Sequence, residues 1–366
     1  MSDALPPPLS FPIITKGFLA LSAAALAGTA ASWLSLPLAW MLGPMLASAG
    51  FALSGVRVVP PVPVLRIGQI CLGASIGLNM SAAALASLID WIPLIIVTAL
   101  FSIVIAAVLS VLLSRLSGID AHTAYFASLP GGLVEMSNIG AQVGASPEPI
   151  AVVQALRVAM VVLIIPASLV GLGITSGAPA VTQPFLKFLW VPAVAAAAAV
   201  GARVAILVRL NNPWILGPMI VAASLTVSEL LVGRMPISVF SGAQFIVGFT
   251  LGARFQRSIV RKLPMVAMIG ACSTVFFSAV LACYATLLSR LTGLDLATAI
   301  LCTSIGGASE MAVTAQVLHL DVSLVVAFHL IRAVMVNGFA TYYWSAFSRL
   351  GLFRLINRIM TGGGSS

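Results

Sequence analysis

Charge is what this sequence has least of. Only 7% of its 366 residues are charged, against 60% hydrophobic, whereas soluble domains carry about 25% charged residues. A chain this apolar cannot cover itself with polar surface, so a soluble globular domain is excluded and an integral membrane protein is implied. Cysteine is scarce as well. Cys71, Cys272, Cys283 and Cys302 sit inside apolar runs without CxxC spacing, which argues against a disulfide frame or a thiolate metal site and reads as small buried residues. His122, His319 and His329 are too scattered for a metal centre and read as facing a cavity or an interface. The net charge of +9 lies mostly between apolar runs, a pattern of cytoplasmic loop charge and not of a nucleic-acid surface.

What is abundant is apolar sequence, and it repeats. Trp91–Leu113, Ala151–Gly173 and Leu263–Leu288 are each long enough to cross a bilayer, which takes about 20 residues. Segment 16–33 resembles a signal peptide in its single lysine and Ala-rich core. Its counterpart at 190–208 is equally Ala-rich, so both read as membrane helices. Trp40-Met-Leu-Gly-Pro-Met45 returns as Trp214-Ile-Leu-Gly-Pro-Met219, an offset of 174. Gln69-x-x-x-Gly73-x-x-x-Gly77 returns from Gln244, Gly131-Gly132-x-x-Glu135-Met136 returns from Gly306, and Arg157 returns as Arg332. So regular an offset marks a duplication, with repeats at 15–174 and 187–347. The linker 175–183 is rich in Gly, Ala and Pro, and Thr361–Ser366 reads as a disordered tail.

Each repeat holds six apolar segments: about 16–33, 36–54, 64–80, 91–114, 121–145 and 149–173, then 188–208, 213–232, 238–253, 263–289, 296–318 and 322–345. In the first repeat, basic residues follow the second segment (Arg57, Arg66) and the fourth (Arg115). In the second they cluster after the third, at Arg254, Arg257, Arg261 and Lys262. All major clusters share one side only if each repeat crosses five times and the second is inverted. The expected fold is therefore an all-α polytopic membrane protein of two inverted repeats. It has about ten transmembrane crossings plus broken or re-entrant segments, and both termini are cytoplasmic. The fifth segments, interrupted at Pro130-Gly131-Gly132 and Gly306-Gly307, are the first choice for those that do not cross; the Gly-rich third segments are the second.

Inverted repeats with broken helices are a transporter architecture. Irregular backbone at membrane depth survives only inside protein or along a cavity, and helix ends there hold ions. Gly131, Gly132, Gly306 and Gly307 would supply unusual dihedrals and close approach. Glu135 and Glu310 follow one turn later, and an ionisable group at that depth is a functional candidate with a partner to be named. Arg157 and Arg332 are the expected partners, with Gln142, Gln316, Gln69 and Gln244 completing a polar cluster. A static Glu–Arg strut is the structural alternative. The two breaks are expected to approach one another at a midplane site. Asp120 and Asp295 read as helix N-caps, and the Trp-x-x-Gly-Pro-Met motifs as kinks that admit a close neighbour.

The paired Trp-x-x-Gly-Pro-Met and Gly-Gly-x-x-Glu-Met motifs resemble the membrane AbrB family, in which the AbrB domain is duplicated. The resemblance covers about residues 15–345. Family labels name a regulator of gene expression and an ammonia monooxygenase. A metal oxygenase needs clustered His or carboxylate ligands, and the repeats share no histidine. No soluble segment here is long enough to be the small DNA-binding domain that shares the AbrB name.

The residues together point to a multi-pass protein of a bacterial inner membrane, surrounded by lipid. Its expected function is secondary transport of a small solute, an organic anion among the candidates, coupled to protons or sodium. A membrane-embedded regulator acting indirectly is the rival, and an enzyme ranks third. No cofactor, metal, catalytic residue or direct nucleic-acid contact is expected; a homodimer stays open.

Overall fold

The computed structural model describes residues 11–349 apart from 57, 59, 81, 175–183, 211 and 256. The inter-repeat linker at 175–183 and the tail Thr361–Ser366 lie outside the described residues. The first half forms α1 (Phe11–Trp33), α2 (Ala39–Leu53), α3 (Val62–Leu78), α4 (Ala82–Ser117), α5 (Ala121–Ser128), α6 (Leu133–Gln142) and α7 (Pro147–Gly171). The second half forms α8 (Val191–Leu207), α9 (Pro213–Val227), α10 (Ile237–Ala253), α11 (Arg257–Lys262), α12 (Pro264–Thr292), α13 (Leu296–Thr303), α14 (Ala308–Val317) and α15 (Val322–Arg349). Apart from the short α11, the order of the first half recurs in the second.

Five helical stretches, Ala84–Ser117, Pro147–Gly171, Phe188–Leu207, Pro264–Thr292 and Val322–Arg349, are long and apolar enough to cross a membrane. The protein is membrane-embedded and all-helical, with one isolated β-bridge, between Phe185 and Arg234, among the described residues. The helices α2 and α9 have 15 residues, and α3 and α10 have 17. At 1.5 Å per residue they span roughly 22–26 Å, short of the ~30 Å hydrocarbon core.

These short helices pack across the halves, α2 on α10 and α3 on α9. A Cβ on Gly248 would lie 2.2 Å from the Met41 carbonyl oxygen, and one on Gly252 2.0 Å from that of Met45. Likewise Gly73 abuts the Ile215 carbonyl at 2.3 Å and Gly77 that of Met219 at 2.2 Å. The Gln-x-x-x-Gly-x-x-x-Gly stretch of each half thus lies on the Gly-Pro-Met helix of the other. Lipid supplies no hydrophobic drive between helices, so such backbone proximity is what holds them together. Met41 and Met45 meet Gly248 and Gly252 in the same chain order, so α2 and α10 run in one direction, as do α3 and α9. Pro44 and Pro218 sit inside α2 and α9, each removing one amide from the helix ladder.

The fifth segment of each half is a helix–break–helix hairpin. Asp120 accepts from the Thr123 amide at 2.8 Å and Asp295 from the Thr298 amide at 3.0 Å, the expected N-caps of α5 and α13. In the first half the chain returns to its starting point: the Ser146 amide donates to Thr123 Oγ1 at 2.8 Å. Two expectations fail in detail. Cys272 and Cys283 are exposed on α12 and not buried. Gly132 and Gly307 have ordinary extended dihedrals, φ −75° at each, and neither Gly131 nor Gly306 has positive φ. What these glycines provide is room for a neighbouring side chain. A Cβ on Gly131 would lie 2.7 Å from Met136 Cγ, and one on Gly306 2.8 Å from Met311 Cε.

Candidate functional site

Breaking a helix exposes carbonyls that would otherwise bond to the next turn, and in a membrane they need protein donors. At the first break α7 supplies them. Gln154 and Arg157 stand three residues apart, on one face of the helix. Gln154 Nε2 donates to the carbonyls of Phe126 and Leu129, both at 3.0 Å. Arg157 donates Nη1 to Leu129 O at 2.6 Å and Nη2 to Gly131 O at 2.7 Å.

At the second break α15 repeats the pattern with a different neighbour. Arg332 donates to the Ser304 carbonyl through Nη1 and to Gly306 O at 2.9 Å through Nη2. His329, in the place of Gln154, lies with Nδ1 2.7 Å from Arg332 Nη2 and Nε2 3.0 Å from Leu301 O. A guanidinium only donates, so His329 Nδ1 accepts and Nε2 carries the proton toward Leu301.

The arginines therefore do not pair with the glutamates, and the expected Glu135–Arg157 and Glu310–Arg332 pairs are corrected. The last carbonyls of α5 and α13 form the negative pole of a helix and attract the cation. The carboxylates stand at the opposite pole, in the first turns of α6 and α14. Each folds back on its own N-cap glycine. A Cβ on Gly132 would lie 2.0 Å from Glu135 Oε2, and one on Gly307 2.1 Å from Glu310 Oε2. This is the third helical position, where the positive end of the helix favours a carboxylate. Ser309 Oγ also donates to Glu310 Oε2 at 2.9 Å. Each break thus has a cation at its carbonyl end and an anion beside its amide end.

Both breaks line one cavity of about 320 Å³. Gly131, Gly132, Glu135 and Arg157 enter it from the first half, and Gly306, Gly307, Glu310 and Arg332 from the second. Arg157 and Arg332 are otherwise buried, 4% and 5% exposed. Gln69 lines the cavity, whereas Gln244 is buried on α10 away from its lining. Gln316 is buried and donates to Ser75 Oγ at 2.8 Å, tying α14 to α3. Gln142 is exposed at the end of α6. The glutamines thus do not form one polar cluster. Gln154, Ser309 and Asn337 were not singled out from the sequence and Arg254 only as loop charge, although the last three line the cavity. Gln154 had one available signal, a lone amide one turn before an arginine in an apolar run. Its counterpart is a histidine, so comparing the repeats concealed it.

Comparison with known proteins agrees with the repeat motifs. The family model described as "Transition state regulatory protein AbrB" matches residues 5–89 and 40–348. "Uncharacterized protein YhjN" of Bacillus subtilis (strain 168) is 28% identical over 353 residues, covering 87% of this chain and 89% of that protein. "Putative regulator AbrB" of Escherichia coli (strain K12) is 28% identical over 320 residues, covering 83% and 88%. With the family model spanning most of its length, the chain belongs to the AbrB membrane family.

Proposed function

We propose that this protein is a secondary transporter of a small solute, with an organic anion the favoured class, and a carrier rather than an enzyme. The observation that carries the reading is the single cavity lined by both helix breaks, both glutamates and both buried arginines. Broken helices facing one another across a cavity are how carriers expose helix poles to a solute. A volume of about 320 Å³ is at the small end of ligand pockets.

The proposal includes two inverted repeats of five crossings each, about ten in all, in a bacterial inner membrane with both termini cytoplasmic. Several contacts support it. The Leu186 amide donates to Arg234 O at 2.9 Å, bringing the start of α8 beside the approach to α10, so α8, α9 and α10 alternate in direction. Because α2 runs with α10, it runs against α9, its own counterpart. The Ser146–Thr123 closure supports a fifth segment that enters and returns. Arg257 Nη1 donates to Ser54 O at 3.2 Å, and Arg66 stacks on Trp214 at 4.5 Å. These contacts gather the basic loops on one side, as the positive-inside rule asks of a cytoplasmic face.

The test is twofold. On a Cys-free background, Ser54→Cys should be labelled from the cytoplasm and Lys187→Cys from the periplasm; labelling of both from one side would overturn the topology. Purified protein screened by thermal unfolding against small metabolites should be stabilised by its solute, and proteoliposomes should accumulate that solute. The name of the Escherichia coli relative favours a second reading, a membrane-embedded regulator acting indirectly. Stabilisation by a ligand without flux would select that reading.

A further inference from the structure

We infer that Glu135 and Glu310 are resident anions that a small organic oxyanion, a carboxylate or sulfonate, replaces once they are protonated, so that solute and proton bind together. This rests on the transport reading and names its substrate class and coupling ion. The carboxylates cover the amide ends of α6 and α14, where an anion would otherwise be held. They are not engaged by the arginines, which are spent on the carbonyls of Leu129, Gly131, Ser304 and Gly306. Each glutamate thus stands in the first turn of its own helix, folded over the N-cap glycine, and Ser309 donates to Glu310.

The charged and titratable groups lining the cavity are Glu135 of α6, Arg157 of α7, Glu310 of α14, His329 and Arg332 of α15, and Arg254 after α10. His329 is committed as a neutral donor–acceptor bridge between Leu301 and Arg332. Three arginines against two ionised glutamates leave the cavity at +1; with both glutamates protonated it stands at +3. An anion entering while the carboxylates are ionised meets two like charges at the helix poles that suit it. Protonation removes the charge, frees the amide ends and leaves the arginines uncompensated. Each glutamate takes up one proton as the anion arrives and releases it when the anion leaves.

Sodium is the less suitable partner here for a structural reason. A cation at a broken helix sits on the carbonyl pole, and at both breaks that pole already holds a permanent guanidinium. Glu135 and Glu310 are the remaining groups in the cavity lining that can load and unload a positive charge.

The test uses methanesulfonate, an anion whose own charge does not change between pH 5 and 8. Binding to the full-length protein in detergent is read by thermal shift, and flux by radiolabelled methanesulfonate and an internal pH dye in proteoliposomes. In the wild type, affinity should fall about tenfold per pH unit, on the alkaline side, for each proton taken up with the anion. Choline, potassium and sodium salts should behave alike. Glu135→Gln with Glu310→Gln mimics the protonated pair, so this variant should bind as tightly at pH 8 as at pH 5 and carry anion without protons. A purely structural capping role would instead lower stability without raising affinity at pH 8. The wild-type pH series stands by itself if the double variant does not fold. Binding that is independent of pH in the wild type, or that requires sodium, would overturn proton coupling while leaving the transport reading intact. Failure to bind methanesulfonate at any pH would overturn the anion site, and the metabolite screen would then test transport separately.

Discussion

At the first break Leu129 O accepts from both Gln154 and Arg157, whereas at the second Ser304 O and Gly306 O rely on Arg332. The hairpins are also seated differently. In α6 only Met136 and Gly140 are buried, while in α14 seven residues are, from Ser309 to Gln316. Gln316 ties α14 to Ser75 on α3, and Gln142, the matching glutamine but one residue later in register from its break, is exposed. Two hairpins that share the Gly-Gly-x-x-Glu-Met motif are therefore held in two ways: the second is embedded and tethered, the first is more open. On the proposed function, such inequality between related halves is what one access state looks like, and exchange of the two roles would give the other.

The largest effect that breaks this comparison should come from the arginines. Arg332→Met leaves two carbonyls without a donor and His329 without its partner. Hydrogen bonds to charged groups contribute about 1.5–3 kcal/mol each, so a loss of roughly 3–5 kcal/mol is expected in thermal unfolding. Arg157→Met should cost less, about 2–3 kcal/mol, because Gln154 still serves Leu129. Equal losses would show that Gln154 does not share the load.

Next come the glycines of the exchanged helices. Gly252→Ala and Gly77→Ala place a methyl against the Met45 and Met219 carbonyls, 2.0 and 2.2 Å from an ideal Cβ. Overpacking typically costs about 1–3 kcal/mol, and the gain in helix propensity returns up to about 1 kcal/mol. A net loss of roughly 1–2 kcal/mol is expected, matched between the two variants because the contacts are reciprocal. Unequal losses would show that the α2–α10 and α3–α9 contacts are not equivalent.

The smallest effect concerns the tether. Gln316→Ala removes one bond, about 1 kcal/mol, and should shift the balance between access states roughly fivefold. The counterpart of Ser75 is Thr250, which lines the cavity. In the exchanged state Gln142 should reach it. A Gln142→Cys, Thr250→Cys pair should therefore cross-link slowly, and faster once Gln316→Ala is added. An unchanged rate would separate the asymmetry from transport.

Much of this protein is legible along the chain because the rules involved are local. Apolar composition dictates the membrane, a regular offset dictates the duplication, and Pro130-Gly131-Gly132 and Gly306-Gly307 dictate where the fifth segments break. Asp120 and Asp295 are caps because a carboxylate reaches an amide three residues on. Only the tertiary structure decided the partners. An arginine in an apolar helix must find acceptors, and the sequence offers glutamate as the obvious one. The fold instead brings the carbonyls of the breaks after α5 and α13 to Arg157 and Arg332, while Glu135 and Glu310 stand in the first turns of α6 and α14. The glycines, too, owe their place to packing and not to dihedral freedom, since what they avoid is a Met136, Met311 or glutamate side chain folded beneath them. How deeply each hairpin is buried depends on how the halves are seated, and the Gly-Gly-x-x-Glu-Met motif they share carries no record of that.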